Sequence, residues 1–311
     1  MEKRQLNVAI GEWLECYKKK SVKVLTYDRL FISFKLMTKY PISDWPVNEI
    51  DSRLMQKYLN QLATDGYSMS TIKKQFNLLT AYWKHAMALG EIERPIFLGV
   101  SLPSEAALVT KAREIETYSH EEQDRMLDIL QTFNHPQYAV VILMLETGMR
   151  IGEVLGLNWI DILWNRRAVS VKSTLIRLSS EPGITFVQNT PKSKTSRRTI
   201  PLSDTAYDTL KRLYDRSKTK RGLIFAKEDD HSLPYSYSSV EFHTRKVCKI
   251  LDIPYRGLHA FRHTFATNCY ERGCDVKILS KLLGHADVAI TYNIYIHLYG
   301  DALEEMRKAL G

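Results

Sequence analysis

The side chains best suited to chemistry are basic, imidazole and phenolic. Arg150 interrupts an apolar run in TGMRIGEVLGLNW, and His259 and Arg262 stand three apart in LHAFRHTFAT. LLGHADVAITYNIYIH carries His285, with Tyr292 and Tyr295 close behind it, and TPKSKTSRRTIPL crowds lysine, serine and arginine into a turn. Singly, each has an ordinary explanation: a surface arginine, a helix-ending histidine, tyrosines packing on an amphipathic helix. Together they are what attack on a phosphodiester requires. Arginines match paired phosphate oxygens bidentately and stabilise the extra negative charge of a pentacoordinate transition state. A tyrosine hydroxyl, with a pKa of about 10, is a poor nucleophile until a base takes its proton. A histidine can be that base, and a turn lysine can protonate the leaving oxygen. Residue type alone leaves Tyr292 and Tyr295 both open.

Other chemistries find no support. No glycine precedes a lysine as in a phosphate-binding loop, and no Gly-x-Gly marks a dinucleotide fold. His259 and His263 have zinc-helix spacing, but Ala260 stands where such a helix needs glutamate. Glu228, Asp229 and Asp230 follow IFAK, a predicted strand, and read as a solvated turn. We therefore expect neither cofactor nor metal. The four cysteines form no CxxC pair and are expected as reduced thiols. The longest apolar run, Tyr138 to Leu145, is too short for a membrane span, and Glu12 and Glu15 interrupt any signal sequence. A cytoplasmic chain follows as the expectation. The net charge of +9 favours a polyanionic partner. Its 44 Lys and Arg against 35 Asp and Glu divide as 16 against 11 through residue 112 and 28 against 24 beyond, so both halves should touch it.

These residues need a scaffold, and the pattern supplies a mainly α one with a small antiparallel sheet. In SMSTIKKQFNLLTAYWKHAMALGEI, Ser70 is the expected N-cap and Gly90 the stop. Ile72, Phe76, Leu79, Trp83 and Ala86 form one face, with Lys73, Lys74, Gln75, Lys84 and His85 directed elsewhere. Pro95 and Pro103 break the periodicity. The boundaries are a helical domain over 1–105, a linker over 106–116 and a second domain over 117–311. Ser119 with Glu122, and Ser238 with Glu241, read as capping boxes. AVSVK, GITFVQNT and RTIPL read as strands, PKSKTSR as the turn between the last two, and helices return after Pro201.

The four segments quoted first, which run along the chain as TGMRIGEVLGLNW, TPKSKTSRRTIPL, LHAFRHTFAT and LLGHADVAITYNIYIH and cover roughly residues 118 to 297, resemble in that order those of the tyrosine recombinases, the phage integrase family. The resemblance places the family's first arginine on Arg150, its His-x-x-Arg on His259 and Arg262, its later histidine on His285 and its nucleophile on Tyr295. Tyr295 is ten residues past His285 and is followed by Ile296 and His297, whereas Tyr292 comes too early and is assigned to packing. The turn lysine falls on Lys192, with Lys194 the alternative; His263 is left to packing or hydrogen bonding.

By resemblance, the first 105 residues are a core-binding domain like that of Xer-type recombinases, with no arm-binding domain before it. The helix face with Lys73 and Lys74 would enter or flank the major groove of double-stranded DNA. The implied activity is site-specific recombination, as in mobile elements, through a covalent 3′-phosphotyrosine, by a homo-tetramer on two specific DNA sites. The residues after Tyr295 are expected to form a terminal helix that packs on a neighbouring protomer or on its own domain. Three rivals remain: a type IB topoisomerase relaxing DNA without exchange, a non-catalytic DNA-binding regulator, and a helical interaction protein that binds no DNA.

Overall fold

The computed structural model describes residues 4–109, 116–133, 135–180, 186–189 (backbone only), 197–285, 287–289 and 291–292. Lys192, Lys194, Tyr295, His297 and the expected terminal helix lie outside the described residues. The chain divides into two units, Met1–Arg113 with Arg177–Thr185, and Glu114–Ile176 with Phe186–Gly311.

The first unit is built from α1 (Leu6–Trp13), α2 (Val24–Met37), α3 (Ser52–Thr64) and α4 (Met69–Ala88). Its core gathers Leu6, Ile10, Trp13, Met55, Leu59, Leu62, Ile72, Leu79 and Trp83. Ser68 rather than Ser70 caps α4, accepting the Thr71 N–H, because the helix begins two residues earlier than the apolar repeat suggests. Gly90, with φ +73°, follows its end. The expected face is buried except for Phe76, which is partly exposed. Gln75, expected to face away, is buried: its amide accepts from the Tyr58 hydroxyl (3.0 Å) and donates to the Ser33 carbonyl (3.1 Å). A buried amide is tolerated because both ends find partners. Lys73 and Lys74 are exposed. In the same unit, buried Asp28 accepts the N–H groups of Ser179 and Ser180 at 2.6 and 2.7 Å.

In the second unit α5 (His120–Phe133) opens with the expected box, in which the Ser119 N–H donates to Glu122 (2.8 Å) and the Glu122 N–H to the Ser119 hydroxyl (3.2 Å). The apolar run becomes α6 (Pro136–Thr147), buried on every side as such a run must be. Around α6 pack α5, α8 (Asp204–Arg216), α9 (Tyr237–Ile250) and α10 (Leu258–Glu271). Ser236 rather than Ser238 caps α9, accepting the Ser239 N–H at 3.0 Å, and Glu241 pairs with Arg245 instead. Then come α10 and α11 (Val276–Leu283).

The strands are β1 (Ile162–Leu163), β2 (Ala168–Val171), β3 (Thr174–Arg177), β4 (Phe186–Asn189) and β5 (Arg198–Pro201). They make an antiparallel β1-β2-β5 sheet, with Val169 opposite both Ile162 and Ile200, and a separate β3-β4 pair. The three expected strands are β2, β4 and β5, but β4 pairs with β3 and not with β5. IFAK is not a strand: Leu223 and Ala226 make only isolated bridges, to Asn158 and Pro234. Glu228, Asp229 and Asp230 are exposed, as a solvated turn requires. No helix among the described residues is long and apolar enough to cross a membrane. Cys16, Cys248, Cys269 and Cys274 are free thiols.

The turn after α6 depends on Gly148. Its φ is +64°, and a Cβ there would lie 2.4 Å from the Phe265 ring on α10 and 2.9 Å from Leu283 on α11. Gly148→Ala should cost about 2–4 kcal/mol, combining the left-handed penalty with overpacking. Thermal melting followed by circular dichroism checks this; a loss well under 1 kcal/mol would contradict the tight approach.

Candidate active site

Three short segments converge here: the turn from Gly148 into α7 (Ile151–Leu155), the first half of α10, and the turn that ends α11. Arg150 is the N-cap residue of α7. It lacks a side chain that can accept the helix's free N–H groups, so Glu153 supplies the local bond, accepting the Arg150 backbone N–H at 2.8 Å. The same carboxylate accepts from the Arg150 guanidinium at 3.1 Å, the same-face contact that a spacing of three allows. The Arg150 side chain keeps 39% of its surface exposed.

Arg262 is almost wholly buried, at 2% exposure. Its Nη1 donates to the Gly148 carbonyl (2.9 Å) and its Nη2 to the Leu283 carbonyl (2.8 Å). These carbonyls lie two residues before Arg150 and two before His285. One guanidinium therefore ties together the turns from which both side chains leave. Gly284, with φ +69°, ends α11 in a left-handed turn, and His285 Nδ1 meets the Thr291 hydroxyl at 2.7 Å. Thr291 is fully buried, while Tyr292 beside it is 52% exposed. Thr291, not Tyr292, makes the contact to His285.

His259, on the first turn of α10, is exposed on one side and meets the His263 ring edge to face at 5.1 Å. His263 thus packs, as expected, and its buried Nδ1 has no hydrogen-bond partner among the described residues. The sequence reading missed Arg198 at the start of β5. Its guanidinium donates to both oxygens of Glu153, at 3.0 and 2.8 Å, and its Nε donates to the Leu282 carbonyl. The only signal was a second arginine opening RTIPL, and the crowd of cations before it masked that.

Three guanidinium groups and one carboxylate set the local field. Burial would raise the Glu153 pKa, but the bonds and charges of Arg198 and Arg150 outweigh it and hold the pKa at about 2. Burial together with Arg262 and Arg150 lowers His285 to about 4, and burial with His259 and Arg262 lowers His263 to about 4. The pKa of His259 also falls below 6.5, through the protein packed on its inner side and then through Arg262 and Arg150. Both site histidines are neutral at pH 7, so His259 is free to accept a proton. Among the described residues no group of His, Cys, Asp and Glu is arranged to hold a metal ion. The assembly is a cationic cradle for an anion, with a neutral imidazole at its edge.

Known proteins share this architecture. The phage integrase family matches residues 116–301, and the phage integrase SAM-like domain matches residues 6–100. A XerC-like tyrosine recombinase of Caldanaerobacter subterraneus subsp. tengcongensis is 30% identical over 81% of this chain and 68% of its own. The integrase of Staphylococcus phage L54a is 26% identical over 97% of this chain and 91% of its own. The Tn1549 transposon integrase, solved in complex with transposon right end DNA, has the same fold, with a TM-score of 0.78 at 19% identity over 99% of both chains.

The depressed pKa values carry a stability consequence. In the unfolded chain His285 and His263 take up protons below pH 6.5; in the folded chain they resist until about pH 4. Their contribution is therefore complete above pH 6.5 and is lost as pH falls toward 4, and that of Glu153 is lost between 4.5 and about 2. The melting temperature of the DNA-free protein should fall between pH 6.5 and 4, less steeply in His285→Asn. A flat profile from pH 7 to 4.5 would contradict the buried neutral histidines.

Proposed function

We propose, for a chain that belongs to the phage integrase family and is a tyrosine-type site-specific DNA recombinase, the following division of labour within its site. Tyr295 is the nucleophile. Its hydroxyl oxygen forms the new bond to phosphorus while the bond from phosphorus to the 5′ oxygen breaks. His259 accepts the phenolic proton, and Lys192 protonates the departing 5′ oxygen. Arg150, Arg262 and His285 hold the phosphate and the charge that builds on it. The 3′-phosphotyrosine keeps the energy of the broken linkage, so rejoining needs neither a nucleotide nor a metal.

The observation that carries this reading is the paired anchorage of the Arg150 and His285 turns on Arg262. Such preset donors are worth most where negative charge develops. Tyr292 is half-exposed rather than packed as its assignment expected, and the neighbouring Thr291 makes the contact to His285; the nucleophile's role goes to Tyr295 on its place ten residues past His285.

The substrate is double-stranded DNA carrying a specific recombination site, in the cytoplasm. The helical domain over about residues 1–105 binds the core of that site, and residues 117–311 carry the chemistry. Exchange between two duplexes breaks four strands; with one tyrosine per strand, the working assembly is a homo-tetramer on two sites. The exposed Lys73 and Lys74 on α4 contact phosphates.

Covalent trapping tests the chemistry. Incubated with duplex DNA from around its own coding locus and stopped with detergent, the protein should yield a phosphotyrosyl peptide containing Tyr295. The adduct should vanish in Tyr295→Phe and persist in Tyr292→Phe. An adduct on Tyr292 would overturn the assignment, and none on DNA that is demonstrably bound would favour a non-catalytic regulator. For binding, Lys73→Ala/Lys74→Ala should weaken affinity evenly across sequences and reduce the salt slope by about 2. An unchanged slope, measured by fluorescence anisotropy at several salt concentrations, would remove these lysines from the interface.

A further inference from the structure

We propose that Arg198 is a positioning residue of this site: the cation that lets Glu153 hold Arg150 in place without cancelling the charge Arg150 presents to the phosphate. The inference rests on the role given above to Arg150. Glu153 performs the positioning directly, accepting both the backbone N–H and the guanidinium of Arg150. A carboxylate used this way also draws on the positive charge the phosphate needs. Arg198 offsets that draw by occupying both oxygens from the other side.

Exposure separates the two cations. The side chains of Arg198 and Glu153 are 6% and 8% exposed, so they form the buried pair, whereas Arg150 remains open to a ligand. With Arg262, the cluster holds three positive charges against one negative. Without Arg198, both oxygens of Glu153 would be left to Arg150. The other ionisable groups that feel the carboxylate, His259 on α10 and Tyr237 on α9, are neutral at pH 7, so besides Arg150 only Arg262 would then be left to offset it. Arg262 makes no hydrogen bond to Glu153 among the described residues; its bonds run to the Gly148 and Leu283 carbonyls.

Arg198 also braces the turn that aims His285. Its Nε donates to the Leu282 carbonyl, and a Cβ on Gly284 would lie 3.0 Å from its Nη1 and 3.3 Å from its Cδ and Cζ. The carbonyls of Leu282 and Leu283, left open at the end of α11, are thus taken by Arg198 and Arg262 respectively.

The experiment measures single-turnover adduct formation at saturating protein, alongside duplex affinity and thermal melting, in Arg198→Met, Arg198→Lys and Arg198→Met/Glu153→Gln. Arg198→Met should slow adduct formation by about 100-fold, the scale for loss of transition-state charge stabilisation, with affinity changed less than about 3-fold. Arg198→Lys, which keeps the charge, should stay within about 10-fold of the parent. The double variant removes the uncompensated carboxylate while leaving Arg150 an oxygen acceptor, and should recover at least 10-fold over Arg198→Met. Recovery of rate by a second substitution is not expected of a residue that merely holds the fold. A double variant as slow as Arg198→Met, or an Arg198→Met as fast as the parent, overturns the inference. Should methionine not be tolerated there, Arg198→Gln, equally neutral, takes its place in both variants. Failure of the underlying reading is distinguishable: then the parent forms no adduct, or Arg150→Gln reacts as fast as the parent.

Discussion

Arg262 is buried with its guanidinium bonded to two main-chain carbonyls, Gly148 on one side and Leu283 on the other. Neither carbonyl has a helical partner to accept from, because each belongs to a turn that closes a helix. A cation at a helix C-terminus is favoured there by the alignment of peptide dipoles, and Arg262 serves two such ends at once. The Gly148 turn can approach because no Cβ intervenes between it, Phe265 and Leu283. The directions of Arg150 and His285 follow from that contact, since each leaves the backbone two residues after a carbonyl that Arg262 fixes.

Holding so many cations together requires compensation, and among the described residues the site supplies it with one acid. Glu153 is shared between Arg150 and Arg198 and is kept ionised far below the usual carboxylate range. The histidines are held in the opposite sense: burial and the neighbouring guanidiniums keep them neutral. The two effects have one origin, a concentrated positive field in a region short of water. Such a field would draw an anion such as a phosphate, and it also keeps the imidazoles in the neutral form that can accept a proton.

Much of this was legible in the amino-acid order, and the exceptions have definite causes. The apolar run from Tyr138 to Leu145 announced a buried helix, and the Ser119–Glu122 pair marked a helix start because its two hydrogen bonds are local. Ser70 and Ser238 misled because another serine lies two residues upstream of each; which of two serines caps depends on where the backbone leaves the extended region, and the apolar period does not record that. Gln75 was placed outward on polarity alone, yet its partners, Tyr58 and Ser33, lie on other helices. Strand composition located β2, β4 and β5, but pairing is a long-range property, and β4 found β3. In the site, residue type and spacing brought out Arg150, His259, Arg262 and His285. Arg198 and Thr291 stayed hidden because their roles are to hold other side chains, which leaves no mark on local spacing.

The bridging role also explains why arginine, and not another cation, stands at 262. An ammonium presents its three donors from one atom, so two carbonyls from separate turns would have to converge on a single point to share it. The guanidinium distributes five donors over a rigid plane; two of them bond Gly148 and Leu283, one from each Nη. The donors not engaged by these carbonyls keep the orientation that the bonds impose, so a phosphate would meet hydrogen-bond donors already aimed. Orientation supplied by the fold need not be supplied again when charge develops, which is the condition under which such donors accelerate a reaction most. The same logic extends to Arg150, held by Glu153 before any ligand arrives. In this chain, then, the forces that close three helix ends are the forces that prepare the anion site, and neither could be relaxed without the other.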